Sequence, residues 1–163
     1  MKFIFILLSA FILIGCGEMK VDGSTQKTYR ESIQNMKDNL PVEQSQKMEE
    51  AINAILFEEA VKKYDVIGVD VKRYMLVESK DRLPRLLNDK TADEIIKMGT
   101  AARLKSECDS KERLIPLIHE NISILESTLD IVNGNKAREI QKKIDESNID
   151  LVETEDFIEK NCF

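Results

Sequence analysis

The chain has 163 residues, of which 24 are basic and 30 are acidic, and its formal net charge is −6. This acidic balance excludes a nucleic-acid binder of the usual kind, because such proteins displace counterions from phosphates with a basic surface. Hydrophobic residues make up 42% and charged residues 33%, which excludes both full disorder and a protein with many membrane spans. Only six Gly and three Pro disfavour a turn-rich β-sandwich. The length predicts one ordinary domain.

An apolar segment opens the chain. After Met1-Lys2, residues 3–14 are almost wholly apolar. The segment is shorter than the roughly 20 residues that cross a bilayer as a helix. Its positive start and its length are typical of a secretory signal peptide. Residues 1–15 are therefore predicted to be removed as a signal peptide.

The residues at the end of this segment are Leu13-Ile14-Gly15-Cys16, which resembles the lipobox of bacterial lipoproteins. In that family the cysteine thiol receives a diacylglycerol, a type II signal peptidase cuts before it, and the new amine is acylated. The resemblance implies lipidation of Cys16 and a stable membrane anchor, since several acyl chains bury more methylene groups than one. Gly17 stands where lipoproteins of the inner membrane often carry Asp, so the resemblance favours the outer membrane of a cell with two membranes. An ordinary signal peptide with an incidental cysteine is the alternative.

Residues 16–24 are short and polar and predict a flexible, lipidated tether to a helical domain over residues 25–163. Ser24 is predicted to cap the first helix. Four apolar residues of that helix share one face, namely Tyr29, Ile33, Met36 and Leu40. Pro41 is expected to end the helix, and a second helix is predicted from Met48 to Tyr64.

Residues 65–79 leave two interpretations open. Their β-branched content suggests a strand, but apolar residues continue a heptad-like spacing and no other segment offers a partner strand. The sequence favours a helix weakened at Gly68. Residues 79–88, which contain Pro84, predict a connection with at most a short turn.

A capping box begins the next helix. Thr91-Ala92-Asp93-Glu94 has the spacing at which Thr91 and Glu94 each accept a hydrogen bond from the other's backbone. This helix is expected to reach Cys108, and Asp109-Ser110 is expected to cap another one.

The C-terminal third has two long helical patterns. One predicts a helix over residues 110–133, with Pro116 near its start or at a bend, and Gly134 is placed to end it in a left-handed conformation. The other predicts a helix over residues 135–161. The fold predicted is all-α, an antiparallel helical bundle, in which residues 109–163 form a C-terminal hairpin.

Two cysteines remain after Cys16. The two C-terminal helices run about 36 Å and about 40 Å at roughly 1.5 Å per residue, so Cys162 returns to the level of Cys108. A disulfide between them is predicted for an oxidising compartment. Two free, partly buried thiols are the alternative.

Two further stretches resemble a family of small bacterial lipoproteins of unknown function. They are Asp22-Gly23-Ser24, with the segment through Pro41, and residues 87–96, whose relatives typically read Leu-x-Gly-Lys-Thr-Ala-Asp-Glu-Ile. Asp89 stands where glycine is usual. The resemblance covers about residues 20–103, so residues 25–108 are assigned as the family-like part. Both motifs are interpreted as structural helix caps.

The sequence does not predict an enzyme. His119 is the only histidine and lacks the second histidine of a His-Glu-x-x-His zinc helix. No Gly-rich phosphate loop and no Gly-x-Ser-x-Gly elbow occurs. Acidic clusters such as Glu49-Glu50 and Glu58-Glu59 are interpreted as solvated helix faces. No cofactor, no metal and no nucleic-acid partner is expected.

Two functional hypotheses follow. The leading one is an envelope lipoprotein, held to the membrane through Cys16, whose helices bind or scaffold an envelope protein partner. The alternative is a small-ligand carrier or an enzyme with a pocket between helices, around Tyr29, Tyr64, Tyr74 or His119. An exposed apolar patch would favour the first hypothesis.

Overall fold

A computed structural model describes residues 18–64 and 71–163, and these residues form six α-helices and no β-strand. The helices are α1 (Gln26–Asn39), α2 (Val42–Tyr64), α3 (Val71–Asp81), α4 (Leu83–Leu87), α5 (Ala92–Leu129) and α6 (Asn135–Asn161). The predicted all-α fold is confirmed. The predicted signal peptide (1–15), Cys16 and residues 65–70 lie outside the described residues.

Helix α1 begins one residue later than predicted. Its N-cap is Thr25, whose Oγ1 accepts a hydrogen bond from the Thr28 N–H at 3.1 Å, while the Thr28 Oγ1 accepts one from the Thr25 N–H at 3.1 Å. Ser24 was the wrong prediction because its own N–H donates to the Asp22 carboxylate at 2.9 Å. That bond holds Ser24 in a turn ahead of the helix.

The core is built around the predicted apolar face of α1. Tyr29 and Met36 are buried, and Ile33 and Leu40 pack against them. The helix ends before Pro41, and Leu40 has the extended backbone (ψ 151°) that a following proline favours. The remaining buried residues of this core come from the N-terminal segment, α2, α4 and α5: Val21, Met48, Ala51, Ile55, Leu56, Leu83, Leu87, Ile95 and Ala102.

Helices α2 and α5 pack closely and run in the same direction. A Cβ at Gly99 of α5 would overlap the backbone of Ala51 in α2, so glycine permits the close approach. Further along both helices, the Lys105 ammonium lies 3.2 Å from the Glu58 carboxylate. The chain returns between these two helices through α3 and α4.

The segment after α2 is more helical than predicted. α3 occupies the second half of the ambiguous segment, so the helical interpretation is confirmed for residues 71–79. α4, a helix of five residues, forms where a connection with at most a short turn was predicted. Pro84 lies in its first turn, where a missing N–H costs no helical hydrogen bond, and Leu83 and Leu87 are buried in the core.

Helix α5 continues through Asp109-Ser110 and Pro116, where a new helix was predicted. Ala102 packs into the core before this point, and Asn121 donates a hydrogen bond to Ser147 of α6 after it, so tertiary contacts on both sides override the local cap.

The turn between α5 and α6 also differs from the prediction. α5 ends at Leu129, four residues early, and the chain tightens there as the Ile131 N–H donates to the Thr128 carbonyl at 3.1 Å. Gly134 has the expected positive φ of 64°, but it is the residue before α6 and does not end α5.

Helices α5 and α6 form an antiparallel hairpin. Cys108 and Cys162 are joined by a disulfide, with their Cα atoms 5.9 Å apart. Nearer the tip, the Asn121 Nδ2 donates to the Ser147 Oγ at 3.3 Å. α6 occupies the predicted range, and its buried residues are Ile144, Thr154 and Ile158.

Candidate functional site

The polypeptide becomes part of the fold at Lys20. The Val21 N–H donates to the Lys90 carbonyl at 2.9 Å, and the Asp89 N–H donates to the Val21 carbonyl at 2.8 Å. The Val21 side chain is only 1% exposed. The flexible tether predicted over residues 16–24 was therefore wrong from Lys20 onward, because paired backbone groups and a buried valine fix the segment.

Gly23 brings the N-terminal segment against α4. Its N–H donates to the Asn88 Oδ1 at 2.8 Å, and a Cβ at this position would overlap the carbonyl oxygen of Pro84. A larger residue would therefore push the backbones apart. The two motifs found in the sequence thus meet in space, and residues 20–25 together with 87–94 are called the motif junction below.

Asp22 organises the start of the motif junction. Its carboxylate accepts hydrogen bonds from the side chain and the backbone N–H of Ser24, and these bonds lower the pKa of Asp22. The Asp22 N–H donates to the Ser32 Oγ at 3.1 Å, which ties the turn to α1. The carboxylate is used for local structure, as expected of a turn-forming aspartate.

Residues 87–90 form a type II turn. The Lys90 N–H donates to the Leu87 carbonyl at 3.0 Å, Asn88 has φ −55° and ψ 137°, and Asp89 has φ 60°. The third position of such a turn requires positive φ, which glycine adopts most readily. Asp89 tolerates it with local help, since its carboxylate accepts a hydrogen bond from the Asn88 Nδ2 at 2.8 Å.

The predicted capping box at the start of α5 is confirmed. The Thr91 Oγ1 accepts a hydrogen bond from the Glu94 N–H at 3.3 Å, and the Glu94 carboxylate accepts one from the Thr91 N–H at 2.9 Å. The bond from the Thr91 backbone, assisted by the Lys90 ammonium, lowers the pKa of Glu94. Both groups satisfy backbone donors that the first turn of a helix leaves free.

A cavity of about 140 Å³ lies where the motif junction meets the start of α2. It is lined by Glu18, Met19, Met36, Leu40, Gln44, Ala92 and Asp93. The end of α1 and the beginnings of α2 and α5 converge here, and this part of the fold is called the basal end below.

The residues predicted for a ligand pocket do not line this cavity. Tyr29 is in the core, and burial raises its pKa to about 12. Tyr74 is half-buried on α3, and His119 is exposed on α5. The Tyr64 side chain lies outside the described side chains.

Sequence reasoning missed one charged cluster between α2 and α3. The Arg82 guanidinium lies 2.8 Å from the Glu59 carboxylate and 3.7 Å from that of Glu78, whose side chain is 1% exposed. Two features of the sequence could have indicated this cluster. Glu59 falls within the apolar face of α2, and Glu78 and Arg82 have helical i,i+4 spacing. The cluster joins two helices through one shared cation.

The described residues lack two features that would indicate a particular function, a metal site and a membrane-spanning helix. Over residues 18–64 and 71–163, no group of three or more His, Cys, Asp or Glu side chains is arranged to hold a metal ion. Over the same ranges, none of the helices has the length and apolar character needed to cross a membrane.

Comparison with known proteins identifies one family. A model of a family of unknown function (DUF6694) matches residues 2–103, more than half of the chain. No curated protein and no solved structure gives a significant match. The matched region contains the motif junction and the core. It ends inside α5, before Cys108 and the part of α5 that pairs with α6. The chain therefore belongs to this family of unknown function.

Proposed function

We propose that this protein is a bacterial envelope lipoprotein that acts as a binding or structural module and not as an enzyme. In this proposal residues 1–15 are removed, Cys16 carries the lipid, and the helical domain is held at the membrane. The glycine after the cysteine favours the outer membrane where a cell has two membranes.

The observation that carries the proposal is the point at which the fold begins. Lys20 already pairs with Thr91, and Val21 is buried, so the folded domain starts four residues after Cys16. A lipid on Cys16 would therefore hold the domain itself at the bilayer. The family match begins at residue 2, and it thus includes the apolar segment and the cysteine, which also supports the proposal.

A binding role is supported by an apolar stripe on the outer face of α5. Leu117 and Ile124 are 59% and 58% exposed, and Ile131, just beyond the helix, is 83% exposed. Leu117 lies 18 residues after Gly99, which is five helical turns, so the stripe continues the face against which α2 packs. α2 ends at Tyr64 and leaves this stripe uncovered.

An amphipathic helix of an envelope protein is the partner whose chemistry fits. Leu117 and Ile124 are seven residues apart on α5, and a partner helix recognises this spacing in a groove or coiled coil. The cavity at the basal end does not itself support the alternative of a ligand carrier or enzyme, because its volume of about 140 Å³ is smaller than the roughly 300–1,000 Å³ of ligand sites.

Labelling with palmitate in a bacterium that has type II signal peptidase tests the lipid. We expect the wild-type chain and a Cys162→Ser control to incorporate the label and a Cys16→Ser variant to incorporate none, because the thiolate is the nucleophile that accepts the lipid. Equal labelling of the Cys16→Ser variant would contradict the proposal.

A photo-crosslinking residue at Ile124 tests the partner in cells. We expect one reproducible protein adduct from this position and none from Asp150, which is exposed on α6. Equal adducts from the two positions would show that the stripe is not a specific interface.

A further inference from the structure

We propose that the basal end of the domain rests on the membrane surface, and that the α5–α6 hairpin points away from it. This inference rests on the proposed lipidation of Cys16. The occupant of the basal end is the same bilayer that holds the lipid.

The short connection to Cys16 supplies the first argument. Lys20 is fixed to the fold by its antiparallel bridge to Thr91. Three residues lie between Cys16 and Lys20, and the four steps from one Cα to the other span at most about 14 Å when fully extended. The headgroup layer alone is roughly 5–8 Å thick. Lys20 is therefore held within about 6–9 Å of the bilayer surface, which leaves the domain little slack with which to turn another end towards it.

Two exposed apolar side chains at the basal end suit this position, although Glu18 and Asp93 also line the cavity there. Met19, which lines the basal cavity, is 41% exposed. Val42, the first residue of α2, is 75% exposed and lies in sequence between Leu40 and Gln44, which line the same cavity. Apolar side chains of this kind gain free energy when they enter the boundary between headgroups and acyl chains.

The directions of the helices then orient the whole hairpin. α2 and α5 both begin at the basal end and run the same way. The 38 residues of α5 extend about 57 Å at roughly 1.5 Å per residue, so the turn that contains Ile131 lies at the far end. The hairpin thus carries the exposed stripe of α5 clear of the headgroups, where an envelope protein reaches it.

A single tryptophan reports the distance of each end from the bilayer, because the chain has none of its own. We place it at the basal end with Val42→Trp and at the hairpin tip with the matched control Ile131→Trp, both at well-exposed positions. The lipidated mature variants, which start at Cys16, are reconstituted into vesicles of phosphatidylethanolamine and phosphatidylglycerol that contain nitroxide-headgroup lipid. Emission from position 42 should be largely quenched, and emission from position 131 should equal that in unlabelled vesicles.

Flotation of the vesicles, measured on the same samples, separates the two proposals. A protein that does not float contradicts the lipid anchor. A protein that floats with position 42 unquenched, or with both positions quenched alike, overturns the orientation while leaving the anchor intact. Glu43→Trp provides a second probe of the basal end if Val42→Trp does not fold.

Discussion

The core and the hairpin of this protein bury their apolar residues to very different extents. In the core, eleven apolar residues are buried, and five of them are at most 1% exposed, namely Val21, Met36, Met48, Leu87 and Ile95. In the hairpin beyond Cys108, the three buried apolar residues, Ile122, Ile144 and Ile158, are 5–9% exposed. Four helices and the N-terminal segment enclose the core, whereas two helices alone form a single layer that leaves one face of each in solvent.

A disulfide and a cation–π contact between α5 and α6 stabilise the hairpin, which has few buried apolar residues. The disulfide joins the two helices at the base, and the Lys111 ammonium lies 5.5 Å from the centre of the Phe157 ring. The family match covers the core and ends at residue 103. The difference indicates that the core is stabilised by buried contacts, whereas the hairpin depends on a covalent bond and leaves apolar side chains exposed.

Of the changes proposed here, removal of the disulfide should have the largest effect, and it should destabilise the hairpin and spare the core. The bond closes a loop with a sequence separation of 54, which corresponds to about 4 kcal/mol of stabilisation on the chain-entropy model. In Cys108→Ser/Cys162→Ser we expect the amides of α6 and the outer half of α5 to exchange with solvent much faster, and the amides of Val21 and Ile95 to keep their protection. Hydrogen exchange measures both, and equal losses in the two regions would contradict the account.

Gly23→Ala should damage the core and spare the hairpin. The new methyl group overlaps the Pro84 carbonyl oxygen, and forcing such a contact costs about 1–3 kcal/mol. Urea unfolding measures the loss, with the exposed Lys27→Ala as a control that should change stability by less than about 0.5 kcal/mol. An unchanged midpoint for Gly23→Ala would show that the motif junction is looser than described.

Thr91→Ala should cost about 1 kcal/mol, because it removes the side-chain cap of α5. Thermal unfolding detects this loss. A variant of Ser110 serves as the control: Ser110→Ala lies within the continuous helix, and it should not destabilise the protein. If Ser110→Ala destabilised the protein as much as Thr91→Ala, Ser110 would be acting as a helix cap. That result would contradict the continuous α5.

Acid should weaken the same cap. The folded-state pKa of Glu94 is lowered, so its contribution is complete above the unfolded-state value of 4.5 and disappears as the pH falls through the folded-state pKa. Glu94→Gln should therefore reduce the slope of stability against pH below 4.5. Urea midpoints between pH 3 and pH 7 measure that slope, and an unchanged slope would contradict the role of the carboxylate.

Asp89→Gly should have the smallest effect of these substitutions and should stabilise the protein slightly. Relief of the positive φ at position 89 gains about 1 kcal/mol and part of it is offset by the greater freedom of glycine in the unfolded chain, for a net stabilisation of roughly 0.5 kcal/mol. The melting temperature should rise slightly, and a fall would show that the Asn88–Asp89 side-chain hydrogen bond outweighs the strain.

Local sequence rules predicted much of this fold. Four features depend on neighbouring residues and follow from helical spacing and capping chemistry. They are the apolar face of α1, its end before Pro41, the capping box at Thr91 and the bounds of α6. The continuity of α5 through Asp109-Ser110 does not, because packing against α2 and α6 overrides a plausible local cap.

The candidate site was predictable only in parts. Both motifs were visible as sequence patterns, but nothing local indicates that Gly23 lies against Pro84 or that Val21 pairs with Lys90. Such contacts between distant segments are determined by tertiary packing. For the same reason the N-terminal segment appeared to be a tether when only its composition was considered.

We propose that a lipid on Cys16 holds a folded domain at the membrane. The most direct test is the intact mass of the mature N-terminal peptide, recovered from the membrane fraction of cells that express the full chain. We expect a peptide that starts at Cys16 and carries diacylglycerol on its sulfur. An unmodified Cys16, or a mature chain that starts at another residue, would contradict it.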